Sequence, residues 1–165
     1  MRAILHADRE WGIGRNNDLM FSLPRDMKFF RETTKGKVVV MGLNTLLSFP
    51  NGKPLKNRVN IVLCPDDVNE DVITVHTPAE LFAEAKKYPA DDVFVIGGAS
   101  VYRLLIPYCT EVLVTRVDAV GGADTFVPDL DADENFCLIS ESDPVEDNGY
   151  TISFRTYRNL APKEY

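Results

Sequence analysis

Short, almost continuous apolar runs that end in glycine constrain this chain more than any other feature. Val38-Val39-Val40-Met41 stops at Gly42, and Val93-Phe94-Val95-Ile96 stops at Gly97-Gly98, each just before a helical pattern. A strand that is apolar on both faces needs cover on both faces, the habit of parallel sheets with helices packed above and below. The same alternation recurs along the chain. Strands are expected at Ala3 to Ala7, Lys37 to Met41, Asn57 to Leu63, Val72 to Val75, Asp92 to Ile96 and Glu111 to Asp118. Helices are expected at Pro24 to Thr34, Leu43 to Ser48, Pro78 to Tyr88 and from the Gly97-Gly98 turn to Ile106, with Thr77 and Glu80 marking the start of the third. In the tail, Phe136 to Glu141 and Tyr150 to Tyr157 read as an antiparallel pair joined by the polar stretch Ser142 to Gly149. The pattern predicts an α/β fold, with a mixed, mainly parallel central sheet of about eight strands, helices on both faces and a C-terminal antiparallel pair. At 165 residues the chain suits one domain over positions 1 to 165.

Chemistry is expected between Trp11 and Phe30. A polar loop with Gly12, Gly14, Asn16, Asn17 and Asp18 runs into the helix start Ser22-Leu23-Pro24-Arg25-Asp26. Loops as long as Arg9 to Ser22 are uncommon without a job. Proline suits the first helical position, where its missing N–H would be unpaired anyway, and this puts Asp26 in the first turn beside Met27, Phe29 and Phe30. A carboxylate held near apolar walls can pair with a cationic or hydrogen-bond-donating ring with little competition from water. An acid at this position also serves simply to complement the helix dipole, and on this stretch alone both roles stay open.

Two strand ends, Met41-Gly42 and Ile96-Gly97-Gly98, precede helices, and Thr45 adds a hydroxyl one turn into the first of them. A ligand with two phosphates fits between such helix starts. The glycine spacing is not the dinucleotide fingerprint G-x-G-x-x-G, so a tight turn explains the doublet equally well, as an ordinary cap explains Thr45. A net charge of -7 without a basic patch argues against a nucleic-acid partner. Cys64, Cys109 and Cys137 have neither metal spacing nor a disulfide framework, which favours a reducing cytoplasm. Met1 to Asp8 reads as a strand, neither a signal peptide nor a membrane span.

Jointly, several pieces resemble the dihydrofolate reductase family. They are Gly12-Ile13-Gly14 with Asn17, Leu23-Pro24-x-Asp26-x-x-x-Phe30, Val40-Met41-Gly42 with Thr45, and Pro54-Leu55-x-x-Arg58 with Asn60-Ile61, followed by Ile96-Gly97-Gly98 with Val101-Tyr102 and by Asp124-Thr125 before Pro128. The resemblance implies reduction of 7,8-dihydrofolate to 5,6,7,8-tetrahydrofolate by hydride transfer from a reduced nicotinamide cofactor, NADPH, in support of one-carbon and thymidylate metabolism. It implies that Asp26 hydrogen-bonds the pterin and favours protonation of N5, with Thr115 supporting that acid. Ile4, Leu5 and Ile96 then line the pterin pocket, Met27, Phe30, Phe49 and Leu55 wall the aminobenzoyl ring, and Arg58 holds the glutamate-tail carboxylate.

On the cofactor side it implies Leu5, Ile13, Gly14, Asn17 and Leu19, then Gly42, Leu43, Asn44 and Thr45, then Leu63 and Cys64. Ile96, Gly97, Gly98, Ala99, Ser100, Val101, Tyr102 and Thr125 complete that set, with Gly97-Gly98 matching a doublet that the family uses in a cis peptide. The partners implied are dihydrofolate and antifolate-like small molecules; no metal, nucleic acid or membrane is expected, and the sequence does not encode an oligomeric state, so the monomer stands as the default. Gly12 to Phe21 resembles the family's mobile lid, with Leu19 as its apolar tip.

Two departures stand out. Many members have Pro-Trp where this chain has Met20-Phe21, so Phe21 keeps an aromatic ring but loses an N–H that orients water near the pterin. Members that use NADPH commonly carry basic groups for the adenosine 2'-phosphate where this chain has Leu43, Asn44, Cys64-Pro65 and Ser100, with Asp66 and Asp67 close behind. The preference for NADPH over NADH is therefore expected to be weak. A folate- or nucleotide-binding module without efficient turnover is the alternative on the same fold.

Overall fold

The computed structural model describes residues 1–165, and the apolar runs form its centre. In chain order the strands are β1 Arg2–Ala7, β2 Gly12–Gly14, β3 Val38–Gly42, β4 Val59–Leu63, β5 Ile73–Val75, β6 Val93–Gly97, β7 Glu111–Val117, β8 Thr125–Phe126, β9 Phe136–Glu141, β10 Val145–Asp147 and β11 Tyr150–Asn159. The helices are α1 Pro24–Thr34, α2 Leu43–Ser48, α3 Pro78–Ala85 and α4 Ala99–Leu105. Strands β7, β1, β6, β3, β4 and β5 lie side by side and parallel. Strand β11 joins β7 antiparallel, and β9 and β10 both pair with β11.

The main sheet thus has nine strands: the eight expected and, additionally, β10 inside the polar stretch 142–149. The three residues Val145-Glu146-Asp147 hold a single apolar side chain, too little to show as a strand, unlike the β-branched run that became β5. For the same reason the long loop after β1 conceals β2, which pairs with β8 in a separate two-stranded sheet. Helix α3 stops at Ala85 instead of Tyr88, because the N–H groups of Lys87 and Tyr88 turn to carbonyls three residues back, those of Glu84 and Ala85. Its start is as expected, with the Thr77 hydroxyl accepting from the Glu80 N–H at 3.1 Å. The Glu80 carboxylate, however, accepts from the His76 N–H at 2.7 Å, one residue before the cap.

Strand β1 decides where a site can form. Ala3, Leu5 and Ala7 enter the largest core cluster, which also holds Val40, Val95, Val114 and Tyr157. The alternate residues Ile4, His6 and Asp8 face the other way, since successive side chains of a strand take opposite faces. From β1 the chain crosses through α1 to β3 on one side, whereas from β6 it crosses through α4 to β7 on the other. Opposed crossovers leave a crevice at the carboxyl ends of β1 and β6.

Candidate active site

A cavity of about 340 Å³ occupies that crevice. Its walls come from β1, the loop around β2, the first turns of α1, α2 with the turn after it, and the β6-to-α4 turn. Seventeen of the sequence-derived site residues line it: Ile4, Leu5, Ile13, Gly14, Asn17, Leu19, Asp26, Met27, Phe30, Thr45, Phe49, Ile96, Gly97, Gly98, Ala99, Tyr102 and Thr125. The cavity is completed by Asp18, named in the sequence only as part of the polar loop, and by His6, Arg15, Ser48 and Pro50, to which the sequence assigned no role in a site.

Asp26 is the buried acid of this wall. Its Oδ1 accepts from the Thr115 hydroxyl at 2.7 Å, and its Oδ2 lies 3.2 Å from His6 Nδ1. His6 and Thr115 are register partners on the parallel neighbours β1 and β7, so both side chains rise from one face of the sheet to meet the helix above. Helix α1 starts with Pro24 after Leu23 and has no side-chain cap of its own. The cap comes from β10: Asp147 Oδ2 accepts from the N–H of Arg25 at 3.0 Å and of Asp26 at 3.2 Å. Asn148 adds a bond from its Nδ2 to the Ser22 carbonyl at 2.9 Å. Nothing in a local reading links positions 26 and 147. An ionised carboxylate has about four acceptor positions, and Asp26 uses two within the protein, leaving the others for donors in the cavity.

Tyr102 donates its hydroxyl to the Ile4 carbonyl at 2.8 Å. Burial, and then the charge of Asp26, push its phenol well above the ordinary range. The Gly97-Gly98 peptide is cis. A Cβ added at Gly97 would lie 3.1 Å from Thr45 Oγ1 and 3.6 Å from Tyr102 Cε2, and one at Gly42 would lie 3.2 Å from Val101 Cγ2. Missing side chains therefore keep a slot open beside the starts of α2 and α4, neither of which is capped by a side chain.

The loop around β2 is tied down on both flanks. Asp124 Oδ2 accepts from the Asn16 N–H at 2.9 Å, and Gly121 packs so closely on Met20 and Phe21 that a Cβ there would lie 2.7 Å from Met20 Sδ. Leu19, by contrast, is 53% exposed at the cavity rim.

The remaining residues singled out in the sequence lie off the cavity wall. Phe21 packs edge-on against Tyr150, 4.8 Å between ring centroids, within a cluster that includes Leu23, Val117 and Ile152. Thr115 stands behind Asp26. Leu55 belongs to the cluster of Met41 and Phe49, and its turn is braced by Asn60, which exchanges bonds with the Leu55 backbone at 2.9 and 3.0 Å. Arg58 is half-buried, donates to the Lys56 carbonyl at 3.0 Å and lies 6.0 Å from the centroid of the Phe30 ring. Burial, and then the neighbouring charge of Arg31, lower its pKa. Gly42, Leu43, Asn44, Leu63, Cys64, Ser100 and Val101 sit beyond the cavity, at the end of β3, the start of α2, the end of β4 with the residue after it, and the first turn of α4. Beside Cys64 the structure adds His76, whose Nδ1 lies 3.0 Å from the Cys64 carbonyl and whose Nε2 lies 3.1 Å from Asp67. No helix is long and apolar enough to cross a membrane.

The comparisons with known proteins point one way. The sequence profile described as "Dihydrofolate reductase" matches residues 1–159. The dihydrofolate reductase of Bacillus subtilis (strain 168) is 32% identical over 149 residues, covering 88% of this chain and 86% of that protein. The bifunctional dihydrofolate reductase-thymidylate synthase 2 of Arabidopsis thaliana is 33% identical over 177 residues, and there the match covers 94% of this chain but 31% of the relative. Among solved structures, the dihydrofolate reductase from Enterococcus faecalis complexed with NADP(H) and RAB-propyl superposes with a TM-score of 0.84 at 34% identity, covering 96% of this chain and 95% of that one.

Proposed function

This chain belongs to the dihydrofolate reductase family, and from that premise we propose that it reduces 7,8-dihydrofolate to 5,6,7,8-tetrahydrofolate with NADPH, as a monomeric single domain in the cytoplasm. The observation that carries the reading is Asp26, a buried carboxylate with a protein partner on each oxygen and acceptor capacity left toward an apolar cavity. When bound, the reduced nicotinamide supplies the hydride. Asp26 accepts from the ring donors of the pterin, fixes its orientation and favours arrival of a proton at N5. Thr115 holds the acid in place, and Met27, Phe30 and Phe49 exclude water from the aminobenzoyl ring. Arg58 meets the glutamate-tail carboxylate at the open end, with Arg31 as a second cation there. The slot beside Gly97, Thr45 and Tyr102 suits the cofactor, because any side chain at Gly97 would fill it.

Leu43, Asn44 and Ser100 carry no charge for a 2'-phosphate, and His76 beside Cys64 is engaged by Asp67. The preference for NADPH over NADH is accordingly weak. Steady-state turnover of dihydrofolate with each cofactor tests both statements. A preference above about a hundredfold in kcat/KM, nearly 3 kcal/mol, removes the second. Absence of turnover with either cofactor removes the first in favour of a binding module.

A further inference from the structure

His6 has no place in the motifs of this chain, yet it touches the acid on which the proposed function rests. It is buried beside Asp26, lines the same cavity, and its Nε2 is sealed from solvent with no partner. An ionised carboxylate only accepts, so the 3.2 Å approach of Nδ1 to Asp26 Oδ2 requires a hydrogen on Nδ1. The imidazole spends its one satisfied contact on the carboxylate, and an orphaned buried nitrogen is an expense that packing alone does not explain. An apolar side chain would fill the position without it. From the elements packed around it, His6 meets Asp26 of α1, the Thr115 hydroxyl of β7 and the Phe21 ring at 6.3 Å, and the Tyr102 phenol lines the same cavity. Asp8, two residues along the same strand face, has its oxygens taken by the N–H groups of Glu10, Gly12 and Gly121.

We propose that His6 is a positioning residue for Asp26, its Nδ1–H orienting the carboxylate from the β1 side as the Thr115 hydroxyl orients it from the β7 side. The inference rests on the proposed reductase reading but concerns the protein without ligand as well. Replacing the imidazole by an apolar ring removes a donor from a buried carboxylate, and a carboxylate that loses a donor binds its proton more tightly. In His6→Phe, the midpoint of the acid limb of kcat/KM therefore rises by about one pH unit, about tenfold in proton affinity. His6→Asn, whose amide N–H reaches the place of Nδ1, returns the midpoint to the wild-type value.

The second measurement needs no turnover. In the ligand-free protein, nitrogen-15 spectra of the His6 ring at neutral pH show the hydrogen on Nδ1, and Asp26→Asn shifts both ring nitrogens. A bare Nδ1, or ring signals indifferent to Asp26→Asn, overturns the proposal, as does a Phe variant that keeps the wild-type midpoint or an Asn variant that fails to restore it. A wild-type protein that does not reduce dihydrofolate overturns the proposed function instead, and the spectra then decide the role of His6 alone.

Discussion

Two buried carboxylates, Asp26 on α1 and Asp8 just past the end of β1, are wired in opposite ways. Asp8, at the end of β1, gives its oxygens to backbone: Oδ1 accepts from the N–H of Glu10 at 2.9 Å and of Gly12 at 2.8 Å, and Oδ2 from the N–H of Gly121 at 2.9 Å. Those bonds close the turn in which Trp11 takes a positive φ of 63°, a conformation that bulky residues adopt at a cost, and they tie that turn to Gly121. Asp26 gives its oxygens to side chains and keeps acceptor capacity for the cavity. A carboxylate saturated by backbone holds structure, and one held by side chains at a cavity wall is free to do chemistry.

Asp147 and Asp131 show that neither half of that contrast suffices alone. Asp147 is backbone-bonded, but what it fixes is the first turn of α1 and hence Asp26. Asp131 accepts from the Tyr157 hydroxyl at 2.7 Å, as Asp26 does from Thr115, yet it lies at the surface with Arg155 and Arg116 at 3.7 and 3.8 Å, away from the cavity that Asp26 lines.

The largest expected effect separates chemistry from stability. Asp26→Asn lowers turnover at neutral pH by about 10²- to 10⁴-fold while the melting temperature changes little, and the deficit narrows at lower pH, where solution protonates the pterin. Turnover that is unchanged between about pH 6 and 8 would put Asp26 in the same class as Asp8. Asp8→Ala does the reverse. Loss of its charge-assisted bonds costs about 3 kcal/mol, seen as a fall in Tm of roughly 6–12 °C, while the folded fraction keeps turnover within about tenfold. A larger loss of turnover than of stability would break the distinction.

Asp147→Ala should fall between them. Removing a cap costs about 1 kcal/mol, and turnover drops several-fold with KM for dihydrofolate rising, because the turn that carries Asp26 loosens. Thermal melts and steady-state kinetics on one preparation decide whether both move together. The smallest effect concerns Asp131. Burial, and then its bond to Asp131, push the Tyr157 phenol up to about 12 from its ordinary 10.0. A raised pKa means that the bond's contribution is complete below pH 10 and is lost as pH rises through about 12. Melts between those pH values should show a shallower decline in Tyr157→Phe than in wild type. Part of the slope stays, because burial also pushes the Cys109 thiol up to about 12.

Much of this was legible in the sequence. Pro24–Thr34 and Leu43–Ser48 fall where the Pro24 start and the Gly42 stop put them, and the glycine-ended apolar runs became β3 and β6. These signals are local: periodicity, a fixed proline φ, the lack of a Cβ. Strands β2, β8 and β10 escaped because they are two or three residues long with almost no apolar alternation, and β2 and β8 moreover find each other only across most of the chain. His6 escaped because a single histidine in an apolar strand has no pattern, and its meaning depends on which strand lies beside it. The sequence by itself determined the order and type of the main elements and the kind of acid at the helix start. Tertiary structure alone decided that Asp26 is buried, capped and shared. The groups that make it so lie 20, 89 and 121 residues away in His6, Thr115 and Asp147, and only sheet register and the docking of β10 bring them within hydrogen-bond reach.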